Sequence, residues 1–406
     1  MNAVVTGVGT IGPWGVGLEA LADALQQGEL RLSEVDRSKG FHAKSSSRTA
    51  GLVDPGVYRE WLPGKAARRM SVNSRMTLAA ARMAAKSAEL EESEVGGERT
   101  AVSMGTSFAS SEFTARLLEQ INENGPQAAS PFLFMETVAN AYAGQVAMHF
   151  DARGSNSTVT QREASGALAV ARALYQLSSG PADRVIAGTV DEMSPLPHAI
   201  LDRFRALARP DADGQELPKV FDKDRAGFIA SEGATVFLLE PEELAKQRNA
   251  KIFGRVRCAI RAFDPTAPSH DWGTGATELS AALVRGLERN GLAPSDIDRI
   301  VSGASGSKTG DRLEALVLKE AWAGLELPTV LAPKSVTGEY GGGQLAAAIL
   351  ALSDQIFAPT PGFEKIDPDL EIRPYDGSPM TTPARVLVSS LASGGAACWF
   401  VLESCP

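Results

Sequence analysis

Residues 157–174 read STVTQREASGALAVARAL, and residues 329–352 read TVLAPKSVTGEYGGGQLAAAILAL. Each opens on a short β-branched run, passes through a polar turn and small residues, and ends in an alanine-rich stretch with helical spacing. A strand, a turn and a helix repeated on both sides of the chain point to an internal duplication and so to two pseudo-equivalent halves. In open parallel sheets, ligands collect where strand carboxyl ends meet helix N-termini. The two turns are therefore where a site is expected. Each carries a glutamate at the start of its helix, Glu163 in the first and Glu339 in the second. A carboxylate there suits the positive end of a helix dipole, with Arg162 as a neighbouring counter-charge to the first. The alternative is that the two carboxylates converge in one pocket and divide acid and base roles. Spacing along the chain leaves both open.

Working outward, β-branched runs alternate with helical periodicity from end to end, which defines an α/β protein. Strands are expected over 3–8, 100–105, 157–160, 184–187, 234–239, 251–260, 299–302, 329–332, 385–389 and 398–402. Helices are expected over 71–89, 112–122, 136–150, 164–177, 278–290, 311–322 and 343–357. Glu240-Pro241 and the charged stretch to Lys251 precede the second series, so the halves are placed at 1–245 and 246–406.

Composition narrows the function. The 406 residues are 44% hydrophobic and 22% charged, enough for a large core and unlike disordered or fibrous chains. Lys plus Arg is 40 against 49 for Asp plus Glu, a net charge of −9 with no basic block to neutralise a phosphate backbone, so no nucleic acid partner is expected. The N-terminal MNAVVTGVGTIG has no positive region ahead of its apolar residues, and no stretch approaches the length of a membrane span; a cytoplasmic protein without membrane insertion is expected. Cys258, Cys398 and Cys405 are too few and too irregularly spaced for a disulfide framework or zinc site, and four scattered histidines form no ligand cluster. No cofactor is expected: residues 5–12, VTGVGTIG, lack the spacing and downstream acid of a dinucleotide fingerprint.

Six stretches, in order, resemble the β-ketoacyl synthases of the thiolase fold. VVTGVGTIGPWG (4–15) is similar to the family's opening strand and turn, and SPFLFMETVANAYAGQVAMHF (130–150) to its interface helix, with Asn140 and Gly144 in the Asn-x-x-x-Gly spacing. FDKDRAGFIASEGA (221–234), GDRLE (310–314), PKSVTG (333–338) and SGG (393–395) resemble four further family segments. The resemblance covers nearly the whole chain and implies a layered α-β-α-β-α architecture. It also implies a catalytic cysteine and two histidines, and here the sequence departs from all three. Ungapped counting puts the cysteine position on Glu163, the first histidine on Gly303 and the second on Glu339. Ser393 stands where the family's C-terminal gating loop has phenylalanine.

The chemistry removed is specific. Condensation needs a soft nucleophile to hold an acyl chain as a thioester, and glutamate would form only a labile anhydride. The family's histidines promote decarboxylation and stabilise an enolate by donating hydrogen bonds. Glycine has no side chain, and an ionised glutamate accepts hydrogen bonds. Asp311, Glu314, Lys334 and Ser393 occupy positions with which the family supports the site.

A family fold without its catalytic trio resembles the chain length factor, the β-subunit of type II polyketide ketosynthases, in which the cysteine position is commonly glutamine. The resemblance implies a heterodimer with a cysteine-containing ketosynthase, an acyl carrier protein as second partner, and a pocket crossing the interface. It places Phe132, Phe134, Met135, Glu136 and Val138 against that pocket, with Phe134 and Met135 as its stops. The same aromatic residues suit an ordinary dimer core. Tyr142, Gln145 and His149 read as packing, Cys258 and Cys398 as small buried hydrophobes, and Asp222, Asp224 and Arg225 as an ion-pair turn or a substrate contact.

Two other readings remain. One is an enzyme repurposed on this fold, using Glu163 or Glu339 to hydrolyse or decarboxylate carrier-bound acyl groups. The other is a regulatory homodimer that binds acyl chains or carrier protein, for which Lys65, Arg68, Arg69 and Arg75 offer a basic patch.

Overall fold

Strand alternation builds this molecule. The computed structural model describes residues 2–42, 46–64, 66–353 and 357–405. Its principal strands are β1 (Ala3–Gly12), β2 (Thr100–Gly105), β3 (Asn156–Val159), β4 (Arg184–Asp191), β5 (Gly233–Pro241), β6 (Gly254–Phe263), β7 (Arg299–Val301), β8 (Thr329–Leu331), β9 (Arg385–Leu391) and β10 (Ala396–Glu403). Its principal helices are α1 (Gly17–Gln27), α2 (Val72–Ser87), α3 (Ser111–Asn124), α4 (Pro131–Thr137), α5 (Ala141–Phe150), α6 (Ser165–Ser178), α7 (Pro195–Arg203), α8 (Ala276–Arg289), α9 (Lys308–Ala321) and α10 (Gly343–Leu350).

The strands run β8-β7-β9-β10-β6-β1-β5-β4-β2-β3 across one sheet. The first five and last five strands of the sequence follow the same order: the first pairs with the fifth, then come the fourth, second and third. Directions repeat as well, antiparallel for the first two pairings and parallel for the others. The two segments that opened the sequence analysis thus hold equivalent places, β3-turn-α6 and β8-turn-α10. The sets join where Ala3, Val4 and Val5 pair with Val256, Arg255 and Gly254.

Side chains of period two give this sheet two faces, and its two halves pack one face each against the same pair of helices. Phe237 and Leu239 of β5, Val386 and Val388 of β9, and Phe400 and Leu402 of β10 face a common core with α6 and α10. The alternate residues Val236 and Leu238 face α2 and α5, while Leu387, Trp399 and Val401 face α8 and α9. The result is α-β-α-β-α. Every residue of α10 is buried, and Gly166 of α6 lies against Leu345 of α10.

All ten expected strands are present, several longer than anticipated. β1 reaches Gly12 through glycines that the packing requires. A Cβ on Gly9 would lie 1.9 Å from the Ala80 carbonyl oxygen, because α2 rests directly on the strand backbone. The helix expected over 136–150 is two helices, α4 and α5, separated where Val138 adopts an extended conformation. The Thr137-Val138 pair and Asn140 are weak helix formers, which fits the break. The helix expected over 343–357 ends at Leu350, and residues 354–356 lie outside the described residues. Helices α1 and α7 were not expected, although Ser194 followed by Pro195 is a helix-start signal. Among the described residues, no helix is long and apolar enough to cross a membrane.

Candidate functional site

Both turns are held in unusual backbone conformations. Arg162, between β3 and α6, has φ +47°, and Tyr340, between β8 and α10, has φ +79°. Non-glycine residues pay roughly 1–3 kcal/mol for such positions and keep them where the surroundings enforce them. The second turn is clamped by residues of the 221–234 segment, since Glu339 N donates to Ile229 O and Ser231 N to Glu339 O, both at 2.8 Å. Gly341 follows at φ +68°, where a Cβ would lie 2.8 Å from the carbonyl carbon of Glu232.

The two carboxylates converge. Glu163 and Glu339 line one chamber of about 30 Å³, room for about one water, together with Lys334 and Asp191. Glu339 is 2% exposed and forms an ion pair with Lys334 Nζ at 2.6 Å. Its Oε1 also accepts from Tyr340 N at 3.2 Å. Glu163 receives hydrogen bonds from Tyr340 Oη at 3.3 Å, Ser393 N at 3.1 Å and Ser393 Oγ at 3.1 Å. Burial and the charge of Glu339 raise the Glu163 pKa, while Lys334 and Ser393 oppose the rise. Burial, reinforced by both glutamates, holds the Tyr340 hydroxyl well above its ordinary pKa. The shared pocket is therefore present, whereas neither glutamate sits in the first turn of its helix: α6 begins at Ser165 and α10 at Gly343, four residues past Glu339.

Outside the chamber lies a cleft of about 420 Å³ lined by Phe108, Phe204, Phe228 and Trp272 among others. Ser107, Arg162, Glu163 and Tyr340 border both spaces, so they form the wall between them. Arg162 fastens this wall, donating to Ser393 Oγ at 3.0 Å and to Ser269 O at 2.7 Å. Asp191 holds the neighbouring loop, accepting from Ser107 N at 2.6 Å, Thr106 Oγ1 at 3.0 Å and Phe108 N at 3.2 Å; burial pushes its pKa up to about 7.

Gly303 lies beneath the chamber, where its N–H donates to Glu314 Oε1 at 3.0 Å. A Cβ there would meet the Ser389 carbonyl oxygen at 2.7 Å, so this backbone does not admit a side chain without moving. Asp311 accepts from Ser305 N, Gly306 N and Phe221 N at 3.0, 3.1 and 2.8 Å. Burial raises Asp311 to about 6 and Glu314 to about 7. No thiol among the described residues lines the chamber: Cys258 and Cys398 lie in β6 and β10, where burial pushes them to about 11 and about 12.

The expected pocket residues lie elsewhere. Phe132, Phe134, Met135 and Val138 are exposed on and just beyond α4, and none lines the cleft or the chamber. With Leu118 of α3 and Met148 of α5, they give these packed helices exposed apolar side chains. Glu136 differs from these four. It is buried, and its Oε2 accepts from Ser71 N at 3.0 Å, Ser71 Oγ at 2.8 Å and Ser74 Oγ at 2.6 Å, while Oε1 accepts from Gln145 Nε2 at 2.8 Å. It fastens α4 to the start of α2.

Of the remaining candidates, His149 pairs with Glu92 at 2.9 Å, and Asp222 and Arg225 bind the chain near residues 364–367. Lys65 lies outside the described residues; Arg68 and Arg69 are exposed, with Arg69 stacked 5.2 Å from the Phe132 ring centre. Sequence reasoning passed over Tyr340, Asp191 and Ser269. The three glycines after Tyr340 were the available signal of a tight turn at that residue.

Residues 2–245 match the β-ketoacyl synthase N-terminal domain and residues 266–364 the C-terminal domain, and the chain belongs to the β-ketoacyl synthase family. The 3-oxoacyl-[acyl-carrier-protein] synthase 2 of Vibrio cholerae is 27% identical over 406 residues, covering 97% of each chain. The protein of the same description from Mycobacterium tuberculosis (strain H37Rv) is 31% identical over 312 residues, 74% of each. The solved structure of the ishigamide ketosynthase/chain length factor matches with a TM-score of 0.89 at 27% identity, covering 100% of this chain and 99% of that one. A β-ketoacyl synthase from Burkholderia phymatum STM815 shares the fold, with a TM-score of 0.89 at 20% identity over 100% of both chains.

Proposed function

We propose that this protein is a chain length factor. In this reading it pairs with a cysteine-containing ketosynthase, supports extension of acyl carrier protein-bound polyketide or polyene chains, and helps set their length. The observation that carries the reading is the state of the nucleophile position. Glu163 offers no thiolate, is engaged by Ser393 and Tyr340, and faces a Glu339–Lys334 ion pair in place of donating imidazoles. The likeness to the ishigamide ketosynthase/chain length factor supports it. So do the exposed Phe132, Phe134, Met135 and Val138, which suit burial against a partner. Asp311, Glu314, Lys334 and Ser393 then keep the shape of a site that no longer condenses. The cytoplasm is the setting this role requires, and no cofactor enters it.

The test is the native mass of the protein co-expressed with the cysteine-containing ketosynthase encoded nearest to it, followed by extension assays with malonyl donor and carrier protein. A one-to-one complex that makes chains, with the isolated protein inactive, is expected. Condensation by the isolated protein overturns the reading. A homodimer indifferent to the ketosynthase transfers it to the regulatory alternative.

The convergence of Glu163 and Glu339 favours one second reading, a hydrolase or decarboxylase of carrier-bound acyl groups with Glu163 as its acid or base. Glu163→Gln abolishes such turnover without unfolding the protein. Unchanged turnover excludes Glu163 from that role.

A further inference from the structure

A second cavity, about 380 Å³, lies among the start of α3, the residues after β4 and the segment around 36–41. It shares no lining residue with the cleft or the chamber. Its volume suits a small organic ligand, and Phe41, Val72, Ala115, Pro195 and Leu196 give it apolar walls. Its charged lining is mostly acidic, five carboxylates against Lys39 and Arg116. Both cations are already engaged, Lys39 with Glu119 at 3.2 Å and Arg116 with Glu112 at 4.0 Å. The oxygens of Glu232 accept from Val53 N at 2.8 Å and Met193 N at 3.0 Å.

Glu192 differs from the other acids. It is 1% exposed, and its Oε1 accepts from Ser111 Oγ at 3.0 Å and Glu112 N at 2.7 Å. Its Oε2 is buried with no hydrogen-bond partner among the described residues. A buried acceptor left unpaired is unfavourable, and Glu192 is one of the residues lining the cavity, so a donor entering it would satisfy this oxygen. Burial, with Glu112 and Glu232 nearby, pushes the Glu192 pKa up to about 7, consistent with a carboxyl given no cation of its own.

We propose that this cavity binds a small amphipathic amine, with the ammonium donating to Glu192 Oε2 and the apolar body resting against Phe41 and Leu196. The acidic lining favours a cation over a neutral donor and disfavours an anion. The proposal does not rest on the chain length reading.

Calorimetry on the full chain tests it with three probes of similar shape: phenethylamine, 2-phenylethanol and 3-phenylpropionate. Saturable binding of the amine is expected, with affinity at least tenfold weaker for the alcohol and none measurable for the acid. Glu192→Gln is expected to weaken the amine at least tenfold while leaving the alcohol unchanged. Ala115→Trp, which fills the cavity from α3 without altering Glu192, is expected to abolish binding of both. Absence of amine binding, equal affinity for amine and alcohol, or amine binding unaffected by Ala115→Trp each overturns the proposal. If Glu192→Gln fails to fold, the probe series and Ala115→Trp decide.

Discussion

Glu163 is an ionisable side chain in a place that opposes ionisation. Its pKa in the folded protein lies above the ordinary value of 4.5, so the fold binds the protonated form better than the charged one. Stability is then greatest while the carboxyl is protonated and falls as pH rises from that ordinary value through the raised one. Glu163→Gln removes the charge and keeps an oxygen for the Ser393 donors. Its urea midpoint is expected to match the parent near pH 4.5 and to exceed it at pH 8; a variant no more stable at pH 8 contradicts the assignment. Lys334 carries the opposite liability. Lys334→Met leaves the buried Glu339 carboxylate without its cation beside Glu163, which should lower unfolding free energy by about 3–5 kcal/mol. Replacing the pair together, as Lys334→Met with Glu339→Leu, should recover most of that loss in the same denaturation experiment. At this scale, counting along the chain singled out Glu163 and Glu339, and the fold sets both on one chamber. The partners of Glu163 were not legible, because Ser393 is 230 residues away and reaches it only through the tertiary fold.

At the scale of elements, the duplicated strand-turn-helix was readable because each copy preserves its own periodicity, and the strand order of the two halves repeats it in space. Element ends were less legible where tertiary contact overrides propensity. Gly7 and Gly9 discourage a strand locally, yet β1 continues through them because α2 approaches so closely. Gly9→Ala is therefore expected to cost about 3 kcal/mol or more, or to prevent folding, read as a loss in urea midpoint or in soluble yield. Gly144 supplies the contrast. It sits in the middle of α5, where a Cβ would meet nothing within 4 Å in the isolated chain. A mid-helix glycine with no such need is unfavourable, so Gly144→Ala should stabilise the isolated chain by up to about 1 kcal/mol. If α5 packs closely against a partner, the same substitution should weaken the complex. A thermal melt of the free chain and a binding measurement separate the two effects.

For the whole molecule, the question is what covers α4 and its neighbours. Phe134 and Met135 are 60% and 59% exposed, with Phe132, Val138, Leu118 and Met148 exposed on the same group of helices. Burying such side chains between two chains is favourable by roughly 25 cal/mol per Å² of apolar surface, before the costs of association. Their exposure also means that they contribute little to folding of the isolated chain. The joint substitution Phe134→Asp with Met135→Asp is accordingly expected to leave its unfolding free energy within about 0.5 kcal/mol of the parent. The same substitution should abolish the one-to-one complex with the ketosynthase in a native-mass measurement, because it places two charges inside a desolvated interface. A complex formed undiminished would remove α4 from the interface and, with it, Phe134 and Met135 from control of chain length. If α4 does lie there, size at Met135 becomes the decisive variable. Met135→Trp narrows a pocket at the interface and should shorten the products, whereas Met135→Ala opens it and should lengthen them. Product mass in the extension assay reads that direction independently of complex stability.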